Sequence, residues 1–335
     1  MIMTKLAQKE ILLPKNIQKE FRIFSHVLKE TNSFLLIAHP NPDADTLGST
    51  ASLFFYLKSL QKEVVVTCKD PLPKNFSSLF KDFFFTPLEN ITYSSFDVVI
   101  ACDSVDRSLS QSIIGALNTE KQIITIIDHH PDTNFSADIN IIDEKFSSAC
   151  EIIGAFFIQN NIPITKKIAT SLLTGILGDT GNFQHSNTTP QTLYITSHLL
   201  NKGAPLEKIL FCISTNKKIS TLRLWGRAFE KAKLYTSNGM IVSGITEEDL
   251  FLCKADSEDI SQVANMLATV PGVRFALILS QYDKTTIKGS FRSESLQNTD
   301  VSRIAHLLGG GGHTLASGFQ LCGKLIDTEN GWVIK

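Results

Sequence analysis

Four short apolar runs punctuate the first half of the chain, at residues 34–38, 63–68, 97–102 and 123–127. Three of them are continuously apolar and rich in Val and Ile rather than alternating, the mark of strands buried on both faces of a parallel sheet. Helix-length segments lie between them, residues 45–60 for example. Strand–helix alternation predicts a doubly wound, mostly parallel α/β domain. Past residue 145 the pattern turns helical, with candidates at 147–160, 166–177 and 189–201. In the second, Ile168, Leu172 and Ile176 recur on one face. The third opens on Thr189-Pro190, a cap followed by a first-turn proline, and closes at Gly203. The last third is mixed, with strands expected at 240–245, 275–281 and 286–292 and helices at 257–269 and 299–308. That reads as a smaller α+β domain.

A length of 335 residues exceeds what one hydrophobic core usually serves, so two domains are expected. The division falls at residues 1–200, a connector at 201–220 with helical character, and 221–335. Composition changes this picture little: 43% hydrophobic and 19% charged residues are ordinary for a globular protein. A net charge of −1 gives no field that would coat duplex DNA. Residues 1–200 hold 16 Lys+Arg against 20 Asp+Glu, and the remainder 16 against 13. This suits a metal-binding half beside an anion-binding half, and chance variation would do as well. The six cysteines, at 68, 102, 150, 212, 253 and 322, form no CxxC pair, which argues against a zinc ribbon or a disulfide framework. Free thiols suit a reducing cytoplasm. No secretory signal and no membrane-length apolar stretch is visible, so no membrane association is expected.

The chemistry-bearing residues cluster at predicted strand ends. Residues 34–38 lead into His39-Pro-Asn-Pro-Asp43-Ala-Asp45, the third run leads into Asp103, and the fourth into Asp128-His129-His130. These are the carboxyl ends of strands, the rim where open α/β sheets bind ligands. A further cluster, Gly178-Asp179-Thr180-Gly181, follows the helix expected at 166–177. One aspartate after a strand is often only a helix cap, an even alternative for Asp45 or Asp103 taken singly. Three such clusters on successive strand ends point to a site. Several carboxylates and imidazoles without a thiolate suit Mn²⁺ or Mg²⁺ better than a structural zinc. So many carboxylates in one place call for cations. Two divalent ions roughly 3.5–4 Å apart are the usual solution and suit attack of water on phosphorus.

The ordered set HPNPDADTLGS, Asp103, DHH at 128–130 and GDTG at 178–181 resembles the four successive motifs of the DHH phosphoesterase superfamily. The sequence GGGGHTLASGF at 309–319 resembles the DHH-associated domain that many members carry. The resemblance spans residues 34–319 and implies an α/β DHH domain and a substrate-binding C-terminal domain with the active site in the cleft between them. It also implies a ligand set. His39, Asp43 and Asp103 would hold one ion; Asp45, Asp103, His129 and Asp179 would hold the other. Asp103 would bridge them, Asp128 would orient a histidine, and His130 would face the substrate phosphate or support the residues that hold the ions. Mn²⁺ is the first expectation, with Mg²⁺ or Co²⁺ as alternatives. Two departures stand out: Ala44 where relatives often have Gly, and Gly178 where relatives often have Thr.

The glycine run Gly309, Gly310, Gly311 and Gly312 has backbone N–H groups that can converge on a phosphate. His313 beside it adds a donor, and Arg292, on a predicted strand, can fork two hydrogen bonds to phosphate. The bland alternative is a loop after a helix end. Arg303, Trp225 and Phe83–Phe85 read as surface or packing residues. The expected activity is a two-metal hydrolysis of short oligoribonucleotides, dinucleotides such as pApA, or 3′-phosphoadenosine 5′-phosphate. The alternatives are an inorganic pyrophosphatase or exopolyphosphatase, or a nucleotide-binding regulator without catalysis. Every ligand position is filled, which disfavours the regulator. The partner is thus a short RNA or small nucleotide and not duplex DNA; a homodimer is left open.

Overall fold

The computed structural model describes residues 11–335 apart from 12, 104–120, 131–136, 215–217, 261, 329 and 330. The chain divides into two compact units, Met1–Asn216 and Lys217–Lys335.

In the first unit, five strands are found among the described residues: β1 (Ser33–Ile37), β2 (Glu63–Thr67), β3 (Val98–Cys102), β4 (Ile123–Asp128) and β5 (Ile139–Ile142). All pair in parallel, in the order β2-β1-β3-β4-β5. The doubly wound α/β class is therefore the observed one. Side chains alternate between two buried faces. Phe34, Leu36, Val98 and Ile100 join the larger core, while Leu35, Ile37, Val99 and Ile124 join a second cluster on the opposite side. This is why the strands read as continuous apolar runs. Strand β5 was not expected; its four residues are too few to carry a pattern. The order reverses direction between β1 and β3, the switch point where parallel sheets open a crevice at strand carboxyl ends.

Helices α1 (Lys15–Glu30), α2 (Ala44–Ser59), α3 (Ala149–Gln159), α4 (Lys166–Asp179), α5 (Pro190–Asn201) and α6 (Leu206–Ser214) complete the unit as described. Helix α1 escaped the sequence reading although Ile17, Phe21, Phe24 and Leu28, all buried, repeat at helical spacing. Helix α5 carries the expected cap: the Thr189 hydroxyl accepts from Thr192 N–H, and Thr192 returns the bond.

The second unit contains α7 (Ile219–Glu230), α8 (Glu247–Cys253), α9 (Val263–Ala268) and α10 (Val301–Leu307) around a mixed sheet. Its strands are β6 (Lys233–Tyr235), β7 (Met240–Ile245), β8 (Phe275–Gln281), β9 (Thr286–Ser293), β10 (Gly311–His313) and β11 (Ala316–Cys322). They run in the order β10-β11-β9-β8-β7-β6, with only β7 and β8 parallel. A hairpin, β12 (Leu325–Thr328) and β13 (Gly331–Ile334), forms a separate two-stranded sheet. The helix expected over 257–269 is broken: Ser257–Ile260 is a 3₁₀ turn ahead of α9. The cause lies at Asp259, whose carbonyl accepts from Trp225 Nε1 at 2.7 Å and whose carboxylate accepts from the Thr221 hydroxyl. Trp225 is buried, as expected, and so is Phe83, whereas Phe84 is exposed. No helix among the described residues is long and apolar enough to cross a membrane.

Candidate active site

The first unit brings the predicted acidic and histidine residues together. Three overlapping groups have ligand atoms within 4.8 Å of one another: His39, Asp43 and Asp103; Asp45, His129 and Asp179; and Asp103, His129 and His130. They sit after β1, β3 and β4, at the switch point, with Asp179 supplied by the last residue of α4.

Asp103 is the hub. It is 2% exposed and its backbone is left-handed, with φ of 51°. Such a conformation is uncommon outside glycine, though Asp and Asn tolerate it best. Its two oxygens face opposite partners. Oδ2 lies 3.5 Å from His39 Nε2, and Oδ1 lies 3.8 Å from both His129 Nε2 and His130 Nδ1. The Thr46 hydroxyl donates to Oδ2 at 2.7 Å.

Asp43 does two things at once. Its Oδ1 caps α2, accepting from the N–H groups of Asp45 and Thr46. The helix-cap alternative and the ligand reading therefore coexist in one residue, because capping uses only one oxygen. Asp45 is fully buried, and its oxygens accept from Ala149 N–H at 2.7 Å and Cys150 N–H at 2.9 Å, the first turn of α3. A helix N-terminus is a favourable seat for a carboxylate. One lone pair remains on each oxygen. Asp128, also fully buried, accepts from the backbone N–H of His129 and His130 and from His130 Nδ1 at 2.8 Å. His39 Nδ1 donates to the Pro40 carbonyl, which leaves Nε2 of the neutral ring as a lone-pair donor.

The donor set fits divalent cations. The decisive atom is His129 Nε2: it is buried and makes no hydrogen bond, yet lies 3.1 Å from Asp179 Oδ2. A buried ring nitrogen aimed at carboxylates without bonding any of them is what a ligand looks like. Electrostatics agree. Burial pushes the Asp103 carboxyl up to about 7, and the charge of Asp45 adds to the shift. Burial, then Asp45 and Asp43, likewise raise Asp179. Burial alone would lower His39, but its bonds to Asp103 and Pro40 outweigh this and raise it to about 9. Chelated protein should hold protons that cations must displace. In it, Asp103 has a folded pKa above its unfolded one. Its contribution to stability is full below the ordinary carboxylate range and is lost as pH rises toward about 7. Because His39 also keeps its proton to about 9, Mn²⁺ affinity should climb from about pH 6 to beyond about pH 9, with proton release falling over the same interval. Calorimetry in two buffers of different ionisation enthalpy checks this; an affinity independent of pH would contradict it.

Sequence reasoning missed the parts that hold this constellation. Thr46, the α3 amides and Asn187 carry no signature of their own. Ser148 and Glu151 do, as a capping pair. Glycines in the two central helices were missed too. A Cβ on Gly175 would lie 2.6 Å from Asp45 Oδ1 and 2.3 Å from Cys150 Sγ. The two departures from the family pattern prove to be one. A Cβ on Gly178 would lie 2.5 Å from the Cβ of Ala44, so the methyl of one position fills the space left by the other. Gly178→Ala should cost about 1–3 kcal/mol by overpacking. In an Ala44→Gly background the same change should be neutral or stabilising, a coupling that a double-mutant cycle in urea measures.

In the second unit, the glycine run is only partly a loop. Gly311–His313 form β10, paired with β11. A Cβ on Gly310 would meet the Gly318 carbonyl at 2.1 Å, and Gly312 has φ of 131°. Close approach of two backbones thus requires these glycines independently of any ligand. His313 and Arg292 both stand opposite Ala316 in register, one on each neighbouring strand, so the three side chains share a face. His313 is exposed. Arg292 donates to Asn265 Oδ1 and to its neighbour's carbonyl, Phe291 O, with no carboxylate partner among the described residues. Arg303 is exposed.

Comparison with known proteins agrees with this arrangement. The family model described as DHH family, N-terminal domain, matches residues 33–176, and that of the DHHA1 domain matches residues 250–329. The chain thus carries a DHH N-terminal domain followed by a DHHA1 domain. It is accordingly a phosphoesterase, a hydrolase. It is 28% identical over 315 residues to the bifunctional oligoribonuclease and PAP phosphatase NrnA of Thermus thermophilus, covering 92% of this chain and 90% of that one. The protein of the same description from Bacillus subtilis is 26% identical over 293 residues, covering 87% and 90%. Among solved structures, an exopolyphosphatase-related protein from Bacteroides fragilis superposes with a TM-score of 0.81 at 24% identity, covering 90% of this chain and 91% of that one. That likeness speaks for the fold.

Proposed function

We propose that this DHH protein hydrolyses short oligoribonucleotides and small nucleotides, 3′-phosphoadenosine 5′-phosphate among them, with water activated by two divalent cations. The observation that carries the reading is the set of overlapping donor triads sharing Asp103 and His129. The names of the Thermus and Bacillus relatives favour the nucleotide substrates. His39, Asp43 and Asp103 would hold one cation, and Asp45, Asp103, His129 and Asp179 the other. Oxygen and imidazole donors without sulfur make Mn²⁺ the first choice. When bound, such cations lower the pKa of the attacking water and offset charge at phosphorus. Asp128, bonded to His130 Nδ1, would fix the orientation of that ring toward the substrate phosphate. Arg292, His313 and the adjoining glycines would grip the rest of the nucleotide through charge-assisted hydrogen bonds.

The test is a panel with Mn²⁺: five-nucleotide RNA, a thirty-mer, 3′-phosphoadenosine 5′-phosphate and pyrophosphate, each with product analysis over time and with an EDTA control. The five-mer and the bisphosphate should be cleaved much faster than the thirty-mer, and EDTA should abolish turnover. Hydrolysis of pyrophosphate alone, or full activity in EDTA, would overturn the reading.

A further inference from the structure

Glu151, at the start of α3, is fully buried and is not among the donors that face the proposed cations. Its Oε2 accepts from Ser147 N–H at 3.0 Å, from the Ser147 hydroxyl at 2.5 Å and from the Thr192 hydroxyl at 2.9 Å; Oε1 accepts from Gln191 Nε2 at 3.2 Å. A buried carboxylate is costly unless its lone pairs are satisfied, and here neutral donors from two helix starts satisfy them. It departs from an ordinary capping pair. Ser148 accepts from Glu151 N–H in the usual way, but the Glu151 side chain returns to Ser147 instead of the cap residue.

The direction of that return has a consequence. Ser147 precedes the turn whose next amides, Ala149 and Cys150, hold both oxygens of Asp45. The Ser147 carbonyl in turn accepts from Asn187 Nδ2 at 3.1 Å, and the same Asn187 amide reaches the Asp179 carbonyl at 3.3 Å. Hydrogen bonds and the short main-chain stretch from Ser147 to Cys150 therefore link Glu151 to the Asp45 carboxylate and to the Asp179 backbone. With His129, these form one of the donor triads; His39, Asp43 and Asp103 form another.

We propose that Glu151 is a positioning residue which, through Ser147 and Asn187, sets the spacing of Asp45 and Asp179 and so the affinity of the cation seat they form with His129. The inference rests on the two-cation reading above. Partners beyond the ligands typically govern metal affinity by about 10–100-fold. A residue that only capped α3 would change stability and leave the two seats equal.

The experiment is titration of substrate-free protein with Mn²⁺, following the free ion by EPR, alongside thermal melts. Wild type should bind two ions. Glu151→Gln should weaken one seat by about 10–100-fold and leave the other within about twofold. Asn187→Ala, at a half-buried site that threatens folding less, should weaken the same seat. Asp43→Asn assigns it: that variant loses the other seat, and the double variant Asp43→Asn, Glu151→Gln should have no tight seat. If wild type binds two ions and both seats shift together or neither shifts in Glu151→Gln and Asn187→Ala, the positioning role is wrong. If wild type binds fewer than two, the two-cation reading fails and this inference falls with it.

Discussion

Asp103→Asn should lower kcat on a short oligoribonucleotide by at least about 10³-fold with saturating Mn²⁺, the scale of losing a group that acts directly on the transition state. The substitution is chosen for its backbone. Asp103 sits at φ of 51°, where asparagine is tolerated and alanine would add strain. The amide keeps the shape but replaces one ligating oxygen with an NH₂ group, which cannot bind a cation. Since Oδ2 faces His39 and Oδ1 faces His129 and His130, either orientation of the amide would spoil one side of the proposed bridge. Stability should move the other way. Burial and Asp45 already push the Asp103 carboxyl up to about 7, so its charged form is disfavoured in the folded, cation-free protein. Removing that charge should leave the melting temperature in EDTA unchanged or higher near neutral pH. Loss of activity with gain of stability separates a bridging ligand from a structural aspartate. Activity within tenfold of wild type would sink the two-metal reading.

The site was legible because its residues follow strand ends directly, so a local pattern of apolar run and acidic motif fixes where they lie. Asp43, Asp45, Asp103 and His129 needed only the periodicity of β1, β3 and β4 and the resemblance of their motifs. Their supports are contacts between segments far apart in the chain. Ala149 N–H to Asp45 spans 104 positions, and Thr46 to Asp103 spans 57. A serine or glycine in such a role looks like any other until the backbones meet. The same limit explains β10 and β11, whose pairing depends on glycines at close approach rather than on alternation. It also explains the broken helix over 257–269, where Trp225 from another helix claims the Asp259 carbonyl. Helix α1 was a different failure, since its apolar spacing was visible in the sequence.

The second large effect concerns the C-terminal unit. Arg292→Ala or His313→Ala should lower kcat/KM on a dinucleotide by roughly 10–100-fold, about the value of one or two charge-assisted hydrogen bonds. The two residues flank Ala316 on adjoining strands, with only a methyl side chain between them. Arg292 is pre-set by Asn265 and the Phe291 carbonyl, so little side-chain freedom is lost when an anion arrives. Binding energy from a part of the substrate that does not react can be used to place the scissile phosphate. A small aryl phosphodiester has no second nucleotide to offer. The same variants should hydrolyse it almost as well as wild type, with Mn²⁺ content unchanged. The glycines report on the fold rather than on binding: Gly309 has a left-handed φ of 75° and Gly310 and Gly312 pack against β11, so a side chain at any of the three should disturb the backbone itself. If Arg292→Ala and His313→Ala reduce both substrates equally, these residues support the fold or the metal centre, and their assignment as a nucleotide clamp is wrong.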